Sequence, residues 1–289
     1  MNEHLPMPVT APFSRAQRAM ILNLVRRAAR TEIMPRFRRL DAGQIGTKSG
    51  PMDLVTEADT AAEAMITRAL QTAFPSAVIV GEEATETDPD YREKLAGAEL
   101  GFLIDPVDGT WNFAHGLPIF GTMIGVTRFG RPIFGMIFDP VGRDVIWADI
   151  ETPATWEPRT GSPRRLRTRR DRALSDCMGY LELAFMPRAH RRAASEACLD
   201  LAHATTLRCS AHQYRLLAQG AVDFMLATKL NPWDHAAGVM ICRQAGGHAA
   251  MLDGTPYDTS IDTGYLLTAC DKATWNRLAE HFADLKTTS

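Results

Sequence analysis

Apolar residues fall at helical spacing early in the chain and then in short runs that suit strands. Met20, Leu24 and Ala28 recur behind Ser14. This predicts a surface helix from Ser14, as N-cap, to about Arg39, kinked or split by Pro35. Residues 1–13 carry three prolines and are expected to form a loose terminus. Gly43–Pro51 reads as a loop or hairpin. Ala58, Ala62, Met65, Ile66, Ala69 and Ala73 make a second helical stripe. Thr56 and Asp59 form a capping-box pattern at its start, and Pro75 ends it. Val78–Val80 is a short buried strand, residues 84–96 a polar, mobile surface segment, and Gly101–Ile104 the next strand. A short helix over Trp111–Ala114 stops at Gly116-Leu117-Pro118. Met123–Arg128, Ile133–Phe138 and Val145–Ala148 then alternate with turn signals, which predicts an antiparallel meander.

Residues 151–163 are rich in Thr, Pro and Gly and mark the best lobe boundary. They divide the chain into 1–163 and 164–289. The second half alternates strand and helix. Cys177–Leu181, Thr206–Cys209, Val222–Ala227 and Tyr265–Ala269 are strand candidates. His190–His203, Gln213–Gln219 and Ala273–Phe282 are helix candidates. Another helix enters at Pro232 and ends at Gly246-Gly247, with Asp234 as a natural N-cap.

Composition changes this picture little. The chain is 45% hydrophobic and 23% charged with a formal net charge of −2. That is ordinary globular composition, with no global reason to expect nucleic acid or an anionic membrane as partner. Residues 109–127 lack charged side chains, but their glycines and Pro118 exclude a membrane span. The five cysteines have no C-x-x-C spacing. They read as small buried hydrophobes in a reducing cytoplasm, not as a disulfide framework or zinc site. The arginine-rich run 164–172 is read as a solvated connector, since no aromatic stacking platform accompanies it.

The chemistry gathers at element ends. A strand delivers Asp105 and Asp108, followed by Gly109 and Thr110. Oxygen ligands beside a turn that opens a helix suit a hard cation and an anion together. Glu82 with Glu83, Asp59 and Asp234 stand at three further element ends. With no His or Cys at ligand spacing, all-oxygen ligation favours Mg²⁺ or Mn²⁺. So many acids repel one another unless cations lie between them. The Gly43–Pro51 loop lacks the spacing of a nucleotide P-loop, though Lys48 remains a partner for a carboxylate or phosphate.

These motifs resemble the inositol monophosphatase family of lithium-sensitive, Mg²⁺-dependent phosphatases. The resemblance rests on Gly81-Glu82-Glu83, Asp105-Pro-Val-Asp108-Gly-Thr110-Trp-Asn-Phe113, Trp233-Asp234 with Ala237-Gly238, and Asp53-Leu-Val-Thr56-Glu-Ala-Asp59 with Lys48 ahead of it. It covers nearly the whole chain. It implies a layered αβαβα sandwich, with an antiparallel-sheet first lobe and an α/β second lobe. It also implies two or three Mg²⁺ ions: one held by Glu82, Asp105 and the Val107 carbonyl, one by Asp105, Asp108 and Asp234, and a weaker third involving Glu82. Thr110, bonded to Asp59, would orient the metal-activated water. Gly109 and Thr110 N–H groups would hold the phosphate.

Two substrate determinants depart from the family. Inositol-specific members carry Glu seven residues before the second-lobe aspartate, where this chain has Ala227. The turn after Arg208 is glycine- and alanine-rich in those members and reads Cys209-Ser-Ala-His212-Gln-Tyr214 here. Lys229, His212, Gln213 and Tyr214 are therefore expected to line a different alcohol pocket. The expectation is a cytoplasmic phosphomonoesterase for a small sugar, inositol or amino-alcohol phosphate. Histidinol phosphate is the alternative substrate, with fructose 1,6-bisphosphate and 3′-phosphoadenosine phosphates also open. An RNA- or transcription-associated role is the alternative function, and a homodimer follows by analogy.

Overall fold

A computed structural model describes residues 13–50, 53–88 and 90–286. The loose terminus expected over residues 1–13 lies outside these except for Phe13, which is buried against Phe74, Phe102 and Phe134. Ser14 caps α1 (Arg15–Ala28) through a reciprocal box with Gln17. The backbone then widens into a π turn, Ala29–Ile33, just ahead of Pro35. The proline lacks an N–H and crowds the carbonyl four residues earlier, so regular helix stops short of Arg39.

Strands β1 (Ile45–Gly50) and β2 (Asp53–Thr56) pair as a hairpin and lead into α2 (Glu57–Ala73). β3 (Val78–Gly81) follows. The polar segment after it contains α3 (Tyr91–Gly97), where Leu95 is fully buried. β4 (Gly101–Asp108), α4 (Thr110–Ala114), β5 (Gly121–Arg128), β6 (Arg131–Asp139) and β7 (Asp144–Asp149) complete the predicted meander. Short strands β8 (Thr155–Glu157) and β9 (Arg164–Arg165) extend the sheet to seven strands, in order along the chain.

The second sheet has five strands. β10 (Met178–Leu181) is followed by α5 (Arg188–Cys198), β11 (His203–Thr205), α6 (Ser210–Ala218) and β12 (Phe224–Ala227). Then come α7 (Pro232–Gln244), β13 (His248–Met251), β14 (Leu266–Ala269) and α8 (Lys272–His281). The order is β11-β10-β12-β14-β13, with parallel pairing about β10 and antiparallel pairing about β14. The strand expected at Thr206–Cys209 lies three residues earlier. Arg208 has φ +52°, a left-handed backbone no strand tolerates.

Three apolar clusters stack these elements into αβαβα layers. α1 and α2 pack on one face of the seven-stranded sheet through Ile21, Val25, Ile66 and Leu70. α6 and α7 fill the space between the two sheets, with Tyr214, Leu217 and Ile241 between Ile137 and Met225. α5 and α8 cover the far face of the five-stranded sheet through Ala194, Trp275 and Leu278. No helix among the described residues is long and apolar enough to cross a membrane.

The basic run 164–172 is partly spent on structure. Arg164 lies over the Trp156 ring, and Arg169 and Arg172 reach the fully buried Asp223 at 3.5 and 3.6 Å.

Candidate active site

The site forms where β3 and β4 end beneath the N-terminus of α7. The β4–β5 ladder slips by one residue between Asp105 and Asp108. Such a bulge turns a strand's side chains, and here both acids line one pocket with Asp234. Asp234 is not the N-cap of α7. Asn231 holds that position and Asp234 lies in the first turn, which leaves its carboxylate for the pocket. One oxygen from each of Asp105, Asp108 and Asp234 lies within 4.8 Å of the others.

Burial is the main electrostatic force on these groups. It raises the pKa of Asp105 well above the carboxylate range, and Glu82, Asp108 and Asp234 add to it. Burial and Asp234 push Asp108 up to about 7. Asp105 Oδ1 is buried with no hydrogen-bond partner. An orphaned carboxylate oxygen among converging acids, with no nitrogen or sulfur in the set, fits a hard divalent cation.

Glu82 lines the same pocket but is engaged elsewhere. Lys48, on the hairpin, sits 3.0 Å from Glu82 Oε1 and 2.8 Å from Glu83 Oε1. Burial opposes the Lys48 charge, yet the two glutamates outweigh it and raise its pKa above the ordinary lysine value.

Asp59 combines both roles read from the sequence. Its Oδ2 accepts from the Thr56 N–H and hydroxyl, closing the capping box, at 2.9 and 2.5 Å. Its Oδ1 accepts from Thr110 Oγ1 at 3.1 Å. Complete burial pushes Asp59 up to about 6. The Val107 carbonyl lies 3.0 Å from Thr110 Oγ1, a second acceptor within reach of the same hydroxyl proton. Gly109 opens α4 with φ +87°, a backbone that glycine adopts without strain.

Of the substrate-side residues, Gln213 and Lys229 line the pocket, as does Ala227. His212 does not. Its Nε2 lies 3.2 Å from the Phe120 carbonyl, on the side of α6 that faces the large sheet. Tyr214, one residue past Gln213, is also turned into the core, and its hydroxyl meets His235 Nδ1 at 3.1 Å. Helical rotation explains the split, because neighbouring residues on α6 face different layers. His235 is held near pKa 4 by burial, and its other nitrogen bonds the Lys229 carbonyl at 2.8 Å. The neutral ring thereby fixes the backbone that presents Lys229.

Several site residues escaped the sequence reading. Glu63 is buried and accepts from the N–H groups of Glu83 and Ala84 at 2.8 and 2.9 Å. A Cβ on Gly81 would sit 2.2 Å from that carboxylate. Glu63 therefore clamps the turn that carries Glu82. Its position one helical turn after Asp59, inside an apolar stripe, was the available signal. The Cys209 thiol donates to Asp108 Oδ2 at 3.1 Å. Trp111 and Arg208 stack 4.2 Å apart at the pocket wall.

The layers and the converging carboxylates define a class, layered α/β sandwich proteins with an acidic cluster that could hold a metal ion. Residues 16–287 match the profile of the Inositol monophosphatase family, and the chain belongs to that family. It is 28% identical to a Thermotoga maritima fructose-1,6-bisphosphatase/inositol-1-monophosphatase, over 77% of this chain and 80% of that one. It is 30% identical to the Nus factor SuhB of Pseudomonas aeruginosa, over 90% of this chain and 96% of that one. In structure it is similar to an inositol monophosphatase from Zymomonas mobilis, with TM-score 0.77, 22% identity, and coverage of 94% of this chain and all of the other (100%).

Proposed function

We propose that this chain is a Mg²⁺-dependent phosphomonoesterase for a small alcohol phosphate. The observation that carries the reading is the convergence of Asp105, Asp108 and Asp234 beside the Thr110–Asp59 pair. Glu82, Asp105, the Val107 carbonyl, Asp108 and Asp234 would hold the cations. Bound there, Mg²⁺ supplies charge neutralisation for the phosphate and acidifies water.

The chain's own residues do the rest. Thr110 donates its hydroxyl proton to Asp59, so its remaining lone pairs accept from the attacking water. That bond fixes the direction of attack. Asp59, buried and held near pKa 6, is the base toward which the water proton moves through Thr110. The Gly109 and Thr110 N–H groups, at the start of α4, direct donors at phosphate oxygens. On the alcohol side, Lys229 and Gln213 offer polar contacts and Trp111 an apolar wall. Ala227 leaves out the carboxylate that grips inositol hydroxyls in inositol-specific relatives. The loss of that contact favours an alcohol other than inositol.

The test is phosphate release from a panel at fixed Mg²⁺. Inositol 1-phosphate is expected to turn over more slowly than histidinol phosphate or fructose 1,6-bisphosphate. Fastest turnover of inositol 1-phosphate would contradict the substrate assignment. A homodimer is part of the proposal, and light scattering that gives the monomer mass would remove it.

A second reading follows the relatives called Nus factors: a transcription-associated role in which catalysis is dispensable. Cellular function retained by a catalytically dead Asp105→Asn chain would favour it.

A further inference from the structure

A second concavity lies away from the catalytic pocket and shares no residue with it. It is an open groove of about 990 Å³ between the end of α1 and the β6–β7 turn. Its rim carries Arg26, Arg27, Arg30, Arg143 and Arg159, and no Asp or Glu lines it. All five arginines are exposed. None has an ion pair or side-chain hydrogen bond among the described residues. The nearby acids are committed elsewhere. Glu32 pairs with Arg36, Asp144 with Arg215, and Asp139 Oδ1 accepts from the Val141 and Gly142 N–H groups.

The rim concentrates positive charge with no counter-charge lining it. Arg26 and Arg30 are four apart and Arg27 and Arg30 three apart, on one helix face, where like charges repel. Arg143 sits at φ +57°, a turn position that favours Gly or Asn. The floor, by contrast, is apolar. Met34, Phe138 and Val141 contribute to it, and Val141 is 41% exposed.

We propose that this groove docks an acidic, amphipathic peptide segment of a partner protein. Carboxylates would meet the guanidinium rim, which suits forked pairing. Leucine-like side chains would cover Met34 and Val141, in the helix-in-groove manner. Charge argues against a second copy of this chain, because an isologous contact would set one arginine cluster against its twin. Nucleic acid fits the rim but not the floor, which offers no aromatic face for a base, Phe138 being buried. The inference is independent of the phosphatase reading, since it concerns binding and not turnover.

The test is fluorescence anisotropy on the full chain with a labelled peptide of about sixteen residues, roughly 24 Å as a helix. Its leucines lie at helical spacing and its other positions are glutamate. Arg26→Glu/Arg30→Glu is expected to weaken binding about tenfold or more. Arg188→Glu/Arg192→Glu, equal in charge but on α5, is expected to leave it within about twofold. Arg26→Gln/Arg30→Gln replaces the reversal if that variant melts early. Phosphate release should match the unaltered chain in every variant. The proposal is overturned if the peptide does not bind, if the α5 variant loses as much affinity, or if a uridine oligomer binds the groove more tightly.

Discussion

Glu63 and the buried acids carry the sharpest residue-level consequences. Glu63 touches no expected cation ligand atom, yet it holds two backbone N–H groups of the turn that presents Glu82. Glu63→Gln can accept only one of those bonds and presents its amide donors to the other N–H. Groups that orient metal ligands change metal affinity about 10–100-fold. Calorimetric titration is expected to show Mg²⁺ affinity reduced in that range, while far-UV circular dichroism stays unchanged.

The acid cluster also sets a pH dependence. Burial raises Asp59 to about 6, Asp108 to about 7 and Glu83 to about 8, from ordinary values of 3.8, 3.8 and 4.5. The folded chain thus keeps protons that the unfolded chain has released. Stability from these groups therefore falls as pH rises from about 4 to about 8. A bound Mg²⁺ would substitute for the lost protons. The gain in melting temperature on adding Mg²⁺ is expected to grow from pH 5 to pH 8, and a gain that shrinks would refute the cluster's electrostatics.

At this scale the sequence was most informative where chemistry is local. Asp59, Asp105, Asp108 and Thr110 are spaced by caps and turns that short stretches define. Glu63 and Cys209 act only through neighbours 20 and 101 residues away, so no local pattern reports them. His212 lies outside the pocket for a related reason. Which face of α6 meets the pocket depends on packing between two sheets, not on the helix's own period.

Among the elements, the β1–β2 hairpin is the one the site holds down. Lys48, Glu82 and Glu83 side chains are 10%, 16% and 10% exposed, so the pairs are poorly screened. Removing one member of a buried ion pair leaves charge uncompensated and costs about 3 kcal/mol or more. Lys48→Met is expected to lower the stability of the metal-free protein by about that amount in urea titrations. The loss should shrink when Mg²⁺ is present to balance Glu82.

Element type was legible wherever the apolar period was long, as in α2 and the β5–β7 meander. It failed at β8, β9 and β11, which are three residues long or shorter, and at β13, whose His-Ala-Ala-Met sequence has no β-branched or aromatic side chain. Strands that short owe their existence to a neighbour's edge. The β4 bulge was likewise invisible, although Pro106 marks the place where regular pairing must break.

In the whole molecule, the carboxylate cluster exists only while α7 stays registered on β3 and β4. Glu82, Asp105 and Asp108 come from the ends of those strands and Asp234 from the first turn of α7. Arg92 of α3 crosses the same junction, donating to the carbonyls of Leu230, Thr259 and Ile261 at 2.9, 2.9 and 3.0 Å. Hydrogen bonds from a charged donor contribute about 1.5–3 kcal/mol each. Arg92→Ala should therefore lower the melting temperature and also weaken Mg²⁺ binding, although no cation ligand is altered. A stability loss with Mg²⁺ affinity intact would show that α7 is registered by other contacts.

If Asp105, Asp108 and Asp234 hold the cations that hydrolyse a phosphate ester, turnover must follow Mg²⁺. The direct measurement is phosphate release against Mg²⁺ concentration, for the unaltered chain and for Asp105→Asn, on the best substrate of the panel. Release is expected to rise and saturate with Mg²⁺, to vanish in EDTA, and to fall more than about a hundredfold in Asp105→Asn. Release that persists in EDTA, or an Asp105→Asn chain as active as the original, would contradict it.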